Sequence, residues 1–327
     1  MNILLTGGAG YIGSHAALSL LDNGHKVHII DNLSTGNEML IPKNAKFTNC
    51  NINNEEVISN LLHSNKFDLL MHFAGFIQVE ESVKKPKKYF ENNTNNAIKL
   101  FNICKNNGLT KIVFSSTAAA YGLVSKNKLI DENTKLNPQN PYAESKIKTE
   151  NFLFDNEDNF QFIILRYFNV AGADKKLRSG QISKKSTHLI KKISEVVVGK
   201  INQIEIFGND YNTPDGTAIR DYIHVSDLAD IHVEVAKYLL KNMKSCLFNC
   251  GYGNGFSVLD VVNTTNRIYK NKIVYKYSNR REGDVEKLIA NTSKLLKHIK
   301  WQPKYNHLNE IINSSVKWEE KINASNI

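Results

Sequence analysis

Short apolar runs alternate with longer amphipathic stretches through the first half of the chain. Residues 2–6 (Asn2-Ile3-Leu4-Leu5-Thr6) read as a buried strand, 11–23 as a helix, 26–31 as a strand, 53–65 as a helix and 67–73 as a strand. A long helix is predicted over 86–107, with Pro86 at a first-turn position that tolerates it. Strands over 111–116 and 161–167 flank a helix over 142–154. Uninterrupted apolar strands separated by helices predict an α/β fold: a Rossmann-type, doubly wound parallel sheet covered on both faces.

The pattern loosens after about residue 170. Residues 172–186 are polar and Lys-rich, which predicts a surface loop near a site. A helix over 188–198, a strand over 203–207, a helix over 227–240 and a strand over 246–250 follow. Ser257 and Asp260 stand three apart as a cap signature opening a helix that runs to about Tyr269, and 305–322 reads as a closing amphipathic helix. There are no repeats and no low-complexity linker. Division near residue 170 is expected: 1–170 as a dinucleotide-binding part and 171–327 as a smaller α/β part facing the sheet's carboxyl edge, with some interleaving.

Composition narrows the class. The chain has 327 residues, 41% of them hydrophobic and 23% charged, as a packed globular protein requires. The apolar run Ile3-Leu4-Leu5 meets a glycine turn at once, and no apolar stretch approaches membrane-span length, so a cytoplasmic location is expected. Lys and Arg number 42 against 32 acidic residues, a net charge of +10 with pI near 9.2. The basic residues are scattered and not interleaved with aromatics, which argues against nucleic acid and leaves attraction of a polyanionic small substrate. Cys50, Cys104, Cys246 and Cys250 read as structural thiols, and no metal site is expected.

Thr6-Gly7-Gly8-Ala9-Gly10-Tyr11-Ile12-Gly13 lies between the first strand and the first helix. Gly7, Gly10 and Gly13 permit a tight turn and close approach of backbone to a pyrophosphate at the helix N-terminus. Asp31 ends the next strand, where its carboxylate would bind ribose hydroxyls and repel a 2′-phosphate, so NAD is favoured over NADP. Tyr142 and Lys146 fall one turn apart at the start of a helix, which brings an ammonium near a phenol and favours phenolate. Thr117 follows the strand over 111–116, where its hydroxyl would face the cleft and relay a proton to Tyr142.

These segments occur in order with His72-Phe73-Ala74-Gly75, Arg166-Tyr167-Phe168-Asn169, Gly208-Asn209-Asp210-Tyr211, Arg220-Asp221-Tyr222-Ile223-His224-Val225 and Arg280-Arg281-Glu282-Gly283-Asp284. The set resembles the UDP-glucose 4-epimerase family of the extended short-chain dehydrogenase/reductase superfamily over nearly the whole chain. The resemblance implies NAD contacts from Tyr11, Ile12, Asp31, Asn32, Asn51, Ile52, Phe73, Ala74, Gly75, Asn92, Lys146 and Phe168. It implies nucleotide-sugar contacts from Thr117, Tyr142, Asn169, His188, Leu189, Phe207, Arg220, Arg281, Asp284 and Leu288, the guanidinium groups suiting a diphosphate. It also implies a homodimer through the helices over 86–107 and 142–154.

Several positions depart from the family pattern. Thr117 stands where many members have Ser, Asn51 where Asp is usual, Ile77 where some have Lys, and His188 where Asn is frequent. Leu288 matches a position held by a bulky Tyr in members restricted to UDP-glucose, which leaves room for an N-acetyl group. The implied reaction is NAD-dependent 4-epimerisation of a UDP-hexose through a transient 4-keto sugar, with Tyr142 as acid/base. A nucleotide-sugar 4,6-dehydratase is the alternative, but it needs an Asp-Glu pair where Ala118-Ala119 stand. A non-enzymatic NAD-binding module commonly loses the Tyr or the Lys, and both are present.

Overall fold

The computed structural model describes residues 1–123, 129–182, 186–270, 272–281 and 284–325. The first half builds β1 (Asn2–Thr6), α1 (Tyr11–Asp22), β2 (Lys26–Asp31), β3 (Lys46–Asn49), α2 (Glu55–Ser64), β4 (Leu69–His72), α3 (Val79–Lys84) and α4 (Pro86–Tyr89). A π-helical segment, Phe90–Asn95, leads into α5 (Asn96–Asn106), followed by β5 (Lys111–Thr117), α6 (Pro141–Asp155) and β6 (Gln161–Tyr167). The expected unbroken helix over 86–107 is therefore corrected. Asn92-Asn93-Thr94-Asn95-Asn96 are poor helix formers, and the helix widens there while Asn93 and Thr94 bond Phe76 and Ser145 instead. The edge strand β3 was not predicted, being four residues long and half exposed.

The second half adds β7 (Asn169–Ala171), α7 (Leu189–Val197), β8 (Ile204–Phe207), β9 (Ile219–Arg220), β10 (Tyr222–His224), α8 (Val225–Asn242) and β11 (Cys246–Cys250). Then come β12 (Phe256–Ser257), α9 (Val258–Ile268), β13 (Tyr275–Ser278), β14 (Lys287–Leu288), α10 (Ser293–His298) and α11 (Leu308–Ala324). Ser257 and Asp260 form the complete capping box at the start of α9. The two- and three-residue strands β7, β9, β10, β12 and β14 were not predicted, because they are too short for any periodicity to register.

Seven strands form one parallel sheet in the order β11-β6-β5-β4-β1-β2-β3. Successive residues of each strand feed opposite cores, as their alternating side-chain direction requires. Ile3 and Leu5 pack with Ala16, Leu20, Leu228 and Leu295 on one face, whereas Leu4 packs with Ile58, Leu100, Phe101 and Leu153 on the other. β11 joins the edge of this sheet beside β6, and α8 packs against α1, so both elements return from the second half to the first-half core. A third core gathers α7, α9, α11 and β8. The reversal of strand order between β1 and β4 opens a crevice at their carboxyl ends, where ligands of such sheets bind.

The predicted surface loop over 172–186 is also corrected, with 183–185 outside the described residues. Ala173, Asp174 and Ser179 are buried because the segment is fastened to α1. Tyr11 Oη donates to the Gly172 carbonyl at 2.6 Å, the Ser14 and Ser179 hydroxyls meet at 2.6 Å, and Arg178 bridges Asp22 and Asp174. Lys175 and Lys176 alone keep the exposure that its composition suggested for 174–179. Among the described residues no helix is long and apolar enough to cross a membrane.

Candidate active site

The turn between β1 and α1 is built for close approach. Gly7 has φ +75, and a Cβ there would lie 2.5 Å from the Ala74 amide nitrogen. A Cβ on Gly13 would sit 2.2 Å from the Gly7 carbonyl oxygen, so α1 starts hard against the turn. Beside it, a solvent-open cavity with about 620 Å3 of empty space is lined by Gly7, Gly10, Asp31, Asn32, Asn51, Ile52, Phe73, Ala74, Gly75 and Asn92. Asp31 is buried and accepts from the amides of Ala9 (3.0 Å) and Leu33 (2.9 Å). Burial raises its pKa, those two bonds oppose the rise, and lone pairs remain for ribose hydroxyls. Asn51 accepts at 2.6 Å from Asn32 Nδ2, so these two predicted residues are joined to each other. The lining suits a dinucleotide, offering the Asp31 carboxylate to ribose hydroxyls and the N-terminus of α1 to phosphates. Ser34, Thr35, Asn53 and Asn96 line the same cavity and were not predicted; polar residues in loops and at a helix start carry no periodic signal.

Five predicted cofactor residues, Tyr11, Ile12, Gly13, Lys146 and Phe168, lie outside that lining. The Tyr11 hydroxyl turns to Gly172, and Ile12 packs on the core under α1. Phe168 is buried with Tyr121, Ile130, Leu288 and Ala290, which brings predicted positions 168 and 288 into one apolar cluster at the sheet's carboxyl edge.

α6 carries the proton-handling groups. Asn140 caps it by accepting from the Ala143 amide at 2.9 Å, and Pro141 fills its first position, so Tyr142 lies in the first turn. Burial pushes the Tyr142 phenol upward, while a hydrogen bond with Thr117 pulls it down. Lys146 is only 3% exposed, and its Nζ donates to the Ser115 carbonyl at 2.9 Å. Burial lowers Lys146 to about 8, opposed by the charge of Glu150. The ammonium therefore stays mostly charged at neutral pH beside a phenol that needs a positive neighbour to ionise.

In the second half, β9 and the segment after β13 supply two guanidinium groups. Arg281 lies 3.8 Å over the Phe207 ring, and its buried Nε has no partner among the described residues. Arg220 Nη2 donates to Asp284 Oδ1 at 3.0 Å; Asp221, its sequence neighbour, instead accepts from the Tyr252, Gly253 and Ala290 amides. Glu282 and Gly283 of this motif lie outside the described residues. Leu288 pairs in register with Arg220 across β14 and β9. Asn169 is exposed, its amide donating to the Asp221 carbonyl at 2.9 Å, and His188 is exposed just before α7, which Leu189 opens.

A model of the NAD dependent epimerase/dehydratase family matches residues 3–251. The chain belongs to that family. It is 43% identical over 325 residues to a UDP-glucose 4-epimerase of Azospirillum brasilense, covering 99% of this chain and 93% of the relative. Its fold superposes with TM-score 0.96 on a UDP-glucose-4-epimerase of Stenotrophomonas maltophila crystallised with NAD and formylated UDP-arabinopyranose, at 31% identity and 99% coverage of both chains. A UDP-Glc/GlcNAc 4-epimerase of Campylobacter jejuni gives TM-score 0.84 and 41% identity, covering 98% of this chain and 99% of that one.

Sequence reasoning gave no site role to three residues that hold this family member's site together, although Arg166 stood in one of its motifs. Asn93 is 1% exposed and bonds the main chain of Phe76 and the side chain of Ser145. Glu150 and Arg166 form a buried ion pair behind Lys146. Asn93 sits in a run of helix-averse residues and Glu150 at four-residue spacing from Lys146, so both left a readable signal.

Proposed function

We propose that this chain inverts carbon 4 of a UDP-hexose, with Tyr142 as the acid/base. The reaction class is NAD-dependent 4-epimerisation, supported by the family match, by the full-length likeness to the A. brasilense enzyme and by the NAD and UDP-sugar held in the S. maltophila structure. The single observation that carries the residue roles is the junction of β5 with α6, where Thr117, Tyr142 and Lys146 meet at the sheet's carboxyl edge.

NAD, when bound, supplies the acceptor and donor of the hydride exchanged with carbon 4. Tyr142 takes the proton of the 4-hydroxyl, Thr117 hydrogen-bonds that oxygen, and once the 4-keto sugar has turned its other face to the hydride source Tyr142 returns the proton to the carbon-4 oxygen. Lys146 favours the phenolate by its charge and lowers the cost of that proton transfer. Arg220 and Arg281 hold the diphosphate, and the idle Nε of Arg281 is a donor suited to it. Phe207 stacks on Arg281 and fixes its plane. Anchoring at the diphosphate leaves the hexose free to turn and present its other face.

Residues 1–170 then serve mainly the dinucleotide and 171–327 the sugar nucleotide, with β11 and α8 returning to the sheet. The Leu288 side chain, smaller than Tyr, accommodates the N-acetylhexosamine series, and the likeness to the C. jejuni enzyme supports that range. Two copies pair through α5 and α6, which sizing by light scattering tests directly. Product analysis with UDP-galactose and UDP-GalNAc side by side tests the function. Both should give the 4-epimer at unchanged mass; a dehydrated product, or bound NAD without conversion of either sugar, would overturn the reading.

A further inference from the structure

Three consecutive residues at the carboxyl end of β5 each receive one side chain from the same face of α6. The Thr117 hydroxyl acts on the phenol of Tyr142, pulling its pKa down against burial, the Ser115 carbonyl accepts from Lys146 at 2.9 Å, and the Ser116 hydroxyl donates to the Glu150 carboxylate. Positions 142, 146 and 150 are four apart and so stack along one side of the helix. Two of these rungs belong to the proton-handling machinery, and the third has no assigned part in it.

Glu150 is 1% exposed and fully engaged. Arg166 on β6 grips it through two bonds, Nε to Oε1 at 3.0 Å and Nη2 to Oε2 at 2.5 Å. Arg166 Nη1 also donates to Tyr121 Oη at 3.0 Å, and that hydroxyl donates to Asn249 Oδ1 of β11 at 2.7 Å. The network thus ties α6 to three adjacent strands. A buried ion pair of this kind adds little stability over well-packed apolar groups, so stability alone is a weak reason to have one.

Lys146 makes no ion pair of its own among the described residues. The groups around the junction are Tyr142 and Glu150 on α6, His72 on β4, Arg166 and Tyr167 on β6, and Tyr89 on α4. Glu81 accepts from Tyr89 Oη at 3.1 Å and Glu132 from the Asn249 amide at 2.8 Å, whereas Glu150 is the carboxylate whose charge acts on Lys146. Without it, two cations, Lys146 and Arg166, would share a dry layer.

Building on the epimerase reading, we propose that Glu150 is a positioning residue: locked by Ser116 and Arg166, it fixes the register of α6 on β5 and supplies the countercharge to Lys146. Its charge favours the ammonium, so its removal moves loss of the Lys146 charge to lower pH. The phenolate of Tyr142 then loses its positive neighbour earlier on the alkaline side.

The test uses the full chain loaded with NAD and UDP-galactose as substrate. Glu150→Gln is expected to lower kcat at least about tenfold with KM within about threefold, and to shift the alkaline limb of the kcat profile down by at least about half a pH unit. The double variant Glu150→Gln/Arg166→Met removes both charges, so it should unfold near the native temperature, keep the lowered kcat and show a smaller displacement of the limb than Glu150→Gln alone. A folded variant with its limb at the native pH overturns the proposal, as does failure of both variants to fold, which would assign the pair to the fold alone. Absence of epimerisation by the unmutated chain would instead strike the functional reading beneath it.

Discussion

Asn93 grips the main chain of Phe76 at both ends, its Nδ2 donating to the carbonyl at 2.9 Å and its Oδ1 accepting from the amide at 2.8 Å. The wide π-helical turn over Phe90–Asn95 carries it there, and Thr149 Oγ1 of α6 donates to its carbonyl at 2.9 Å. One residue therefore joins the loop lining the dinucleotide cavity to the helix bearing Tyr142 and Lys146. Asn93→Ala leaves both Phe76 groups without their partner and should cost about 2–4 kcal/mol. Urea unfolding measures that loss, and NAD retained through gel filtration should fall with it.

Tyr142→Phe keeps the ring and removes the acidic hydroxyl. Turnover of UDP-galactose should drop at least about 1000-fold, equivalent to about 4 kcal/mol in the barrier, with NAD still bound. A loss within tenfold would remove Tyr142 from the acid/base role.

Arg281→Met removes both the stacked guanidinium over Phe207 and the idle buried donor. UDP, measured as a competitive ligand by calorimetry, should bind at least about 30-fold more weakly, or about 2 kcal/mol. NAD content should be unchanged, because the residue is not among those lining the cavity beside the glycine turn.

Leu288 packs with Phe168 and Tyr121 and sits in register with Arg220. Leu288→Tyr adds bulk at that point, so conversion of UDP-GalNAc should fall by at least about tenfold relative to UDP-galactose. Equal losses on both sugars would detach this position from sugar selection.

Four buried histidines make stability sensitive to acid. Burial is the first cause for each, lowering His72 and His224 to about 3 and His15 and His232 to about 4. Each binds a proton near pH 6.5 only when unfolded, so its stabilising contribution is complete above that pH and drains away as pH falls toward the folded value. Asp221, raised to about 6 by burial, works the other way and gains stability over the same fall. The net change between pH 7 and pH 5.5 should be a loss of roughly 4 kcal/mol, read as a lower urea midpoint. An unchanged midpoint would mean that these imidazoles are charged in the folded chain.

The central fold and the chemistry at its edge were legible in the chain itself. Apolar strands such as Ile3-Leu4-Leu5 must be covered on both faces, Gly7 and Gly13 stand where no Cβ fits, and the four-residue spacing of Tyr142 and Lys146 sets them on one helix face. These are local constraints, and local patterns record them.

Partner choice was decided only by the tertiary structure. Arg220 pairs with Asp284 rather than its neighbour Asp221, β11 enters the first-half sheet, the segment around Ser179 folds onto α1, and Glu150 finds Arg166 on another strand. A buried charge or hydroxyl must find a partner, but which of many distant candidates it meets depends on how the layers close around it. That information is spread over the whole packing and is carried by no single stretch of sequence.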